Sequence, residues 1–217
     1  MNKKERALFI EAKLNELFPR PKAPLNHTNA FTLLIAVLLS AQTTDKRVNV
    51  VTKELFKKAQ SAKDMLKLGE QNVYQFIKTC GLAPKKAKAI IETSKIIEEK
   101  YSGEVPNELA LLEELPGVGH KTASVVVSEF FNKPAFPVDT HIHRLAQRWG
   151  LSNGKSVKQT EEDLKSLFDE SKWRDLHLQI IFYGRTFCSA RGCDGTTCFM
   201  CKSLYPNRKR RIKTLKA

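Results

Sequence analysis

The stretch Leu115-Pro116-Gly117-Val118-Gly119-His120-Lys121-Thr122-Ala123, followed by Val138-Asp139-Thr140-His141-Ile142-His143-Arg144, decides how the rest of this chain is read. Pro116, Gly117 and Gly119 force a tight bend between two apolar helical patterns. Glycine reaches φ > 0 at no steric cost and, lacking Cβ, lets a backbone approach a ligand closely. A helix that starts at such a bend points free N–H groups and the positive end of its dipole outward, which suits an anion such as phosphate. Lys121 falls in that first turn, where acids rather than bases are electrostatically favoured. Packing alone does not select a lysine there, whereas chemistry that uses a neutral amine tolerates one.

Helical periodicity dominates on both sides of the bend, and no convincing alternating strand is present. Leu8, Ile10, Leu14, Leu17 and Phe18 mark a first helix, ended by Pro19 and Pro21. Residues 29–41 are apolar on nearly every side and predict a buried central helix. Asp45 reads as the N-cap of the next helix, with Val48, Val51, Leu55 and Phe56 facing inward. Shorter helices are expected near 62–69 and 71–79, and Pro84 opens a longer one striped by Ala87, Ile90, Ile91 and Ile97. Asn107 reads as the cap of a short helix leading into the bend, and Val125, Val126, Val127 and Phe130 bury the helix after it. The two prolines of Asn132–Pro137 interrupt the pattern and mark a domain boundary. Helices resume at about 139–149, 156–169 and 172–187. The fold class is all-α, in two helical domains.

Charge narrows the partners. Thirty-seven basic against 23 acidic side chains give 217 residues a formal charge of +14. An imbalance of that size points to a polyanion, since phosphate contacts release counterions and dominate affinity for nucleic acid. The most apolar run, Phe31–Leu39, is too short to span a bilayer, so no membrane partner is expected. The start, Met-Asn-Lys-Lys-Glu-Arg, leads into an amphipathic pattern rather than a signal sequence. Of five cysteines, Cys188, Cys193, Cys198 and Cys201 crowd into fourteen residues, which suggests a metal site in a reducing compartment rather than a disulfide framework. The expected location is intracellular: cytoplasmic and nucleoid-associated.

The Gly-Val-Gly-x-Lys bend and the Val-Asp-Thr-His block, together with Leu38–Asp45 and Cys80-Gly81-Leu82, resemble the helix-hairpin-helix DNA glycosylases. The lysine points to the endonuclease III branch, and the resemblance runs from Phe31 to about Cys201. It implies a six-helix domain at 22–132 carrying the hairpin. A second helical domain would combine 1–21 with 133–217 and contain the cysteine cluster (188–201) and a basic tail. It also implies base-excision repair: a monomeric bifunctional enzyme that removes oxidised pyrimidines from double-stranded DNA. Such an enzyme cleaves 3′ to the abasic site by β-elimination through a lysine Schiff base.

Under that resemblance Lys121 is the nucleophile. Asp139, eighteen residues later, is an N-cap by position and catalytic by family match. Reaching a base inside a duplex requires extruding it and filling the hole. Gln42 and Leu82 match the positions where the family inserts side chains into the stack, an amide and an apolar wedge. Gly117, Gly119 and His141 are expected at the DNA backbone. A metal pair at His141 and His143 is rejected, because residues two apart on a helix point to different faces; polar packing or a phosphate contact is expected instead. Lys85, Lys86 and Lys88 read as a grip on the backbone beside the wedge. The run Arg208-Lys209-Arg210-Arg211, with Lys213 and Lys216, reads as a flexible phosphate-binding arm, the alternative being a solubilising end.

The cysteines depart from the family. There the ligands of a [4Fe–4S] cluster are separated by six, two and five residues; here the separations are four, four and two, and Asn207 stands where a last ligand would fall. Cys198-x-x-Cys201 matches the family's central pair, Cys188 the first ligand, and Cys193 would replace the missing fourth. Iron–sulfur is the first reading. Tetrahedral Zn²⁺ also accepts four thiolates, and a metal-free remnant is the third possibility. Cys80 reads as a packed thiol. Two rival functions are a monofunctional glycosylase, against which Lys121 argues, and a non-catalytic helix-hairpin-helix module, which needs neither Lys121 nor Asp139.

Overall fold

The computed structural model describes all 217 residues as α-helices joined by loops and one 3-10 turn, with no strand. In chain order the helices are α1 (Lys3–Leu17), α2 (Ala30–Ser40), α3 (Asp45–Leu55), α4 (Ala62–Leu68), α5 (Glu70–Ile77), α6 (Ala83–Tyr101), α7 (Leu109–Glu113), α8 (His120–Glu129), α9 (Thr140–Arg148), α10 (Val157–Leu167), α11 (Trp173–Thr186) and α12 (Phe199–Leu204). They fall into two compact units. One is Ala23–Lys133; the other joins Met1–Lys22 to Pro134–Ala217.

The unit Ala23–Lys133 is organised around α2. Asn29 and Thr32 cap its start reciprocally, and every residue from Phe31 to Leu39 is buried. A helix apolar on all faces needs neighbours on all faces, and α3, α6 and α8 supply them. Truncating a fully buried member such as Leu34 to Ala would cost about 2–5 kcal/mol, because the cavity adds to the lost transfer energy. The N-cap of α3 is Thr44, whose Oγ1 accepts from Arg47 N at 3.3 Å; Asp45, read from sequence as the cap, occupies the first turn instead. Asn107 likewise does not cap α7. Its Oδ1 accepts from Lys133 Nζ at 2.9 Å, and the residue before α7 is Glu108.

In the other unit, α1 belongs with the C-terminal helices because its Ala7, Ile10 and Leu14 form a stripe that α11 covers. Arg6 Nη2 donates to Gly150 O at 2.9 Å, and Gln179 Nε2 donates to Asn15 Oδ1 and Phe18 O at 2.9 Å each. The core combines Ile10, Leu14, Phe136, Ile142, Leu145, Trp149, Leu164 and Tyr183 with Cys188, Cys193 and Cys201.

The basic tail is laid against this unit rather than held as a free arm. Arg208 stacks 3.6 Å from the Tyr205 ring centroid and donates to Arg148 O at 2.8 Å and Gly195 O at 3.0 Å. Ile212 N donates to Asp194 O at 2.9 Å and Leu215 N to Gln147 Oε1 at 2.7 Å. The charges of the run are visible in sequence, but the backbone pairing that tethers it is not. No helix is long and apolar enough to cross a membrane.

Candidate functional site

The bend before α8 is built for a tight crossing. Gly117 sits at φ +77°, and a Cβ there would lie 3.1 Å from Ala89 Cβ and 3.4 Å from Leu38 Cδ1, so a side chain would strain the backbone and press on its neighbours. Val118 N donates to Leu115 O at 3.0 Å, and Thr93 Oγ1 donates to Pro116 O at 3.0 Å, fixing the bend to α6. Gly119 is the N-cap of α8 and offers no side-chain acceptor to the first-turn N–H groups; a Cβ on it would meet nothing within 4 Å. The helix therefore opens onto space with its N–H groups available to an anion. Lys121 is the second residue of this helix and half-buried. His120 beside it is exposed and places Nδ1 2.6 Å from Glu113 Oε1.

In the same unit, two short loops carry Gln42 and Leu82. Both residues lie in the left-handed region, at φ +54° and +60°, a conformation that a bulky side chain adopts only at a cost. Leu82 is nevertheless 48% exposed. A half-exposed leucine recovers little of that cost from packing. The loops touch through Gly81, where a Cβ would come 2.7 Å from Gln42 O. Of the three lysines read as a backbone grip, Lys85 and Lys88 are exposed, but Lys86 is buried and hydrogen-bonded inside the unit. A charge run in sequence does not reveal which member points inward.

In the other unit, Asp139 is the N-cap of α9. Its Oδ1 accepts from Ile142 N at 2.9 Å, which fixes the carboxylate at a half-buried position. His141 and His143 diverge as their spacing requires. His141 Nδ1 lies 3.3 Å from Arg144 Nη2, while His143 is buried with Nδ1 2.8 Å from Thr160 Oγ1. Thr160 Oγ1 donates to Ser156 O, so it accepts from His143, and burial pushes this imidazole below its ordinary pKa. His143 is thus core packing.

Two further residues of α9 escaped the sequence reading. Arg144 donates to Gly184 O at 3.2 Å and Cys188 O at 3.0 Å. Arg148, buried, donates to Cys188 Sγ at 3.3 Å and Ser189 O at 2.9 Å. Burial, then the neighbouring Arg148 charge, lowers the Arg144 pKa from its ordinary value. Their i, i+4 spacing after the Val-Asp-Thr-His block was the available signal, since it puts both on one helix face.

The four cysteines converge. The Sγ atoms of Cys188, Cys193, Cys198 and Cys201 all lie within 4.8 Å of one another, and all but the half-buried Cys198 are buried. Cys193 therefore joins the other three despite the unusual spacing. Three of the sulfurs accept hydrogen bonds from N–H donors. Arg148 donates to Cys188 Sγ, Gly195 N to Cys193 Sγ at 3.5 Å, and Cys201 N to Cys198 Sγ at 3.5 Å. Donation from the Cys188 and Cys201 thiols drives Cys198 down to about 2, while Cys188 is pushed up to about 12 and Cys201 further up by sharing protons with it. Four sulfurs competing for few protons inside a cationic, N–H-lined loop form a donor set that fits a thiolate-bound metal centre. Cys80 stands apart in the other unit, buried, its thiol pKa raised by that burial.

Residues 35–170 match the model of the HhH-GPD superfamily base excision DNA repair proteins. The chain is 46% identical over 191 residues to an endonuclease III of Escherichia coli (strain K12), covering 88% of this chain and 90% of that one. It is 42% identical over 208 residues to an endonuclease III of Bacillus subtilis (strain 168), covering 95% of each. The fold superimposes with a TM-score of 0.87, at 38% identity and covering 92% of this chain and 94% of the other, on a trapped endonuclease III–DNA covalent intermediate, an estranged-adenine complex.

Proposed function

The chain belongs to the HhH-GPD superfamily of base excision DNA repair proteins and, within it, to the endonuclease III family; on that premise we propose how its residues divide the work of a bifunctional DNA glycosylase and AP lyase. The substrate is double-stranded DNA carrying an oxidised pyrimidine. The observation that carries the assignment is Lys121, half-buried on the second residue of a helix whose glycine N-cap leaves the helix end open. Phosphate oxygens bind the N–H groups of that end, which brings the deoxyribose to the lysine.

The uncharged amine of Lys121 attacks C1′. The bond from C1′ to the base nitrogen breaks, and the base leaves with the electron pair and takes up a proton. Ring opening at the deoxyribose oxygen gives the protonated Schiff base. Loss of a C2′ proton then expels the 3′ phosphate with the C3′–O electron pair, and water releases the lysine. Asp139 stabilises positive charge on the sugar and relays protons during attack and elimination, steps worth about 10²–10⁴ in rate for a positioned acid–base group. Its capping bond to Ile142 N leaves the second carboxylate oxygen for that work. Gln42 and Leu82 fill the stack behind the extruded nucleotide.

Cys188, Cys193, Cys198 and Cys201 form one four-thiolate site fit to hold the [4Fe–4S] cluster of the family. The cluster would tie the cysteine loop together, and Arg144 and Arg148 already fasten that loop to the helix that Asp139 caps.

Borohydride trapping on duplex DNA with an abasic site tests the assignment. The wild type forms a covalent adduct and Lys121→Ala forms none. A Lys121→Ala protein that traps like the wild type overturns it. Anaerobic purification should yield iron and acid-labile sulfide in a coloured protein, whereas a colourless, zinc-loaded protein would remove the cluster from the account.

A further inference from the structure

Lys86 is a buried cation of the Ala23–Lys133 unit that the reaction above does not use. It lies on the first turn of α6, four residues after Leu82, and is only 6% exposed. An ammonium group has three N–H donors and no acceptor, and Lys86 Nζ has three oxygens in reach: Leu39 O at 2.8 Å, Ala41 O at 2.5 Å and Thr43 Oγ1 at 3.2 Å. Leu39 belongs to the last turn of α2, whose carbonyls lack backbone N–H partners further along the helix and carry the negative end of its dipole. The loop that follows holds Gln42. Thr43 Oγ1 accepts a second hydrogen bond, from Gly81 N at 3.1 Å, one residue before Leu82. Its own hydrogen points to Ala41 O at 3.4 Å, so the hydroxyl is saturated.

We propose that Lys86 is a positioning residue for base extrusion: through Thr43 it clasps the Gln42 loop to the Leu82 loop, so that both side chains enter the DNA stack as one rigid tool. This rests on the reading that Gln42 and Leu82 fill the stack. A clasp is needed because both residues hold left-handed backbones that relax unless their surroundings over-determine them. The close approach of Gly81 to Gln42 O leaves no side chain to interlock the loops, so hydrogen bonds do it. The charged donor strengthens those bonds relative to neutral ones, and burial keeps water from replacing them. Burial lowers the Lys86 pKa, and negative charge on the adjacent Cys80 sulfur would oppose that fall; what favours the ammonium is its three oxygen acceptors.

The test places 2-aminopurine opposite a damaged pyrimidine, where its fluorescence rises when the stack opens. In the wild type the rise should precede excision. Lys86→Met removes the donors at nearly constant volume. It should bind the duplex within about threefold of wild type yet lose the rise, with single-turnover excision slower by about 10- to 100-fold, as small misplacements of positioned groups are. Lys86→Arg should recover part of both. Thr43→Val leaves the two carbonyl bonds to Lys86 in place and should show the same split, so it decides the matter if Lys86→Met does not fold. Binding, rise and excision falling together in Thr43→Val, or none of them falling, overturns the clasp. Gln42→Ala and Leu82→Ala serve as the second arm. If these retain rise and excision, the stack-filling reading itself fails; if they lose both while Thr43→Val keeps both, only the clasp fails.

Discussion

The helices α8 and α9 begin in opposite ways. The N-cap of α8 is Gly119, with no side chain to accept from the first-turn N–H groups and open space around it. The N-cap of α9 is Asp139, whose own carboxylate occupies the position an external anion would take. An α-helix start needs an acceptor in either case. One helix carries its acceptor within, as a mounted carboxylate, and the other leaves the place open, which is why the proposed function puts a phosphate there. Lys121 stands one residue inside the open end, where the helix field disfavours a cation, and Arg144 and Arg148 stand further along the closed one, fastened to the cysteine loop.

The largest expected effect separates the two duties of the closed end. Asp139→Asn keeps a competent N-cap, since asparagine caps as well as aspartate, but removes the charge. Base excision should fall by about 10²–10⁴ while the melting temperature stays within a degree or two of wild type. Asp139→Ala should add a stability loss of about 1 kcal/mol to the same rate loss. Activity of Asp139→Asn within twofold of wild type, in single-turnover assays, would reduce the residue to a cap and erase the contrast with α8.

At the open end the next effect is on stability. Gly117→Ala forces a side chain into a left-handed backbone, at about 1–2 kcal/mol, and presses it against Ala89. Denaturant unfolding should show at least that loss, and an unchanged midpoint would show that the bend does not need its glycine. Leu82 presents the reverse case: the same backbone region, filled by leucine rather than glycine. Leu82→Gly should relieve the strain, raising stability or leaving it level after the entropy of glycine is counted, while excision from duplex DNA falls. A variant that is stabler and slower would show that the leucine is retained for the substrate.

Much of this was legible beforehand, for reasons that are local. Pro116, Gly117 and Gly119 announce a bend because few conformations suit them, and Asp139 announces a cap because it stands directly before a helical pattern. The all-α class followed from apolar spacing. What escaped depends on burial or on contacts distant in sequence. Lys86 looked like its exposed neighbours Lys85 and Lys88, since charge in a sequence carries no sign of which way the side chain points. Arg144 and Arg148 read as ordinary helix residues until Cys188 and Ser189, forty residues on, supplied their acceptors. The tail read as free because its tethers are backbone groups, which every residue has. Gln42 and Leu82 stand out in the sequence by resemblance alone, and their positive φ is a feature that no local pattern announces.

The smallest effect is the most direct attack on the contrast between the helix starts. Gly119→Asp would give α8 what α9 already has. The site has room for the side chain, because a Cβ at this position meets nothing within 4 Å, and the extended backbone of Gly119, at φ −94° and ψ 174°, suits a capping residue. Stability should therefore rise by a few tenths of a kcal/mol from the cap, with up to about 1 kcal/mol more from the helix dipole. The new carboxylate would occupy the phosphate's place, so affinity for duplex DNA should fall. The slope of log affinity against log salt should shallow by about 0.9 for each phosphate that the variant no longer neutralises. A protein that is stabler, binds DNA as tightly as before and keeps its salt slope would mean that no phosphate sits at the start of α8; the open cap would then be an accident of the bend and not a site.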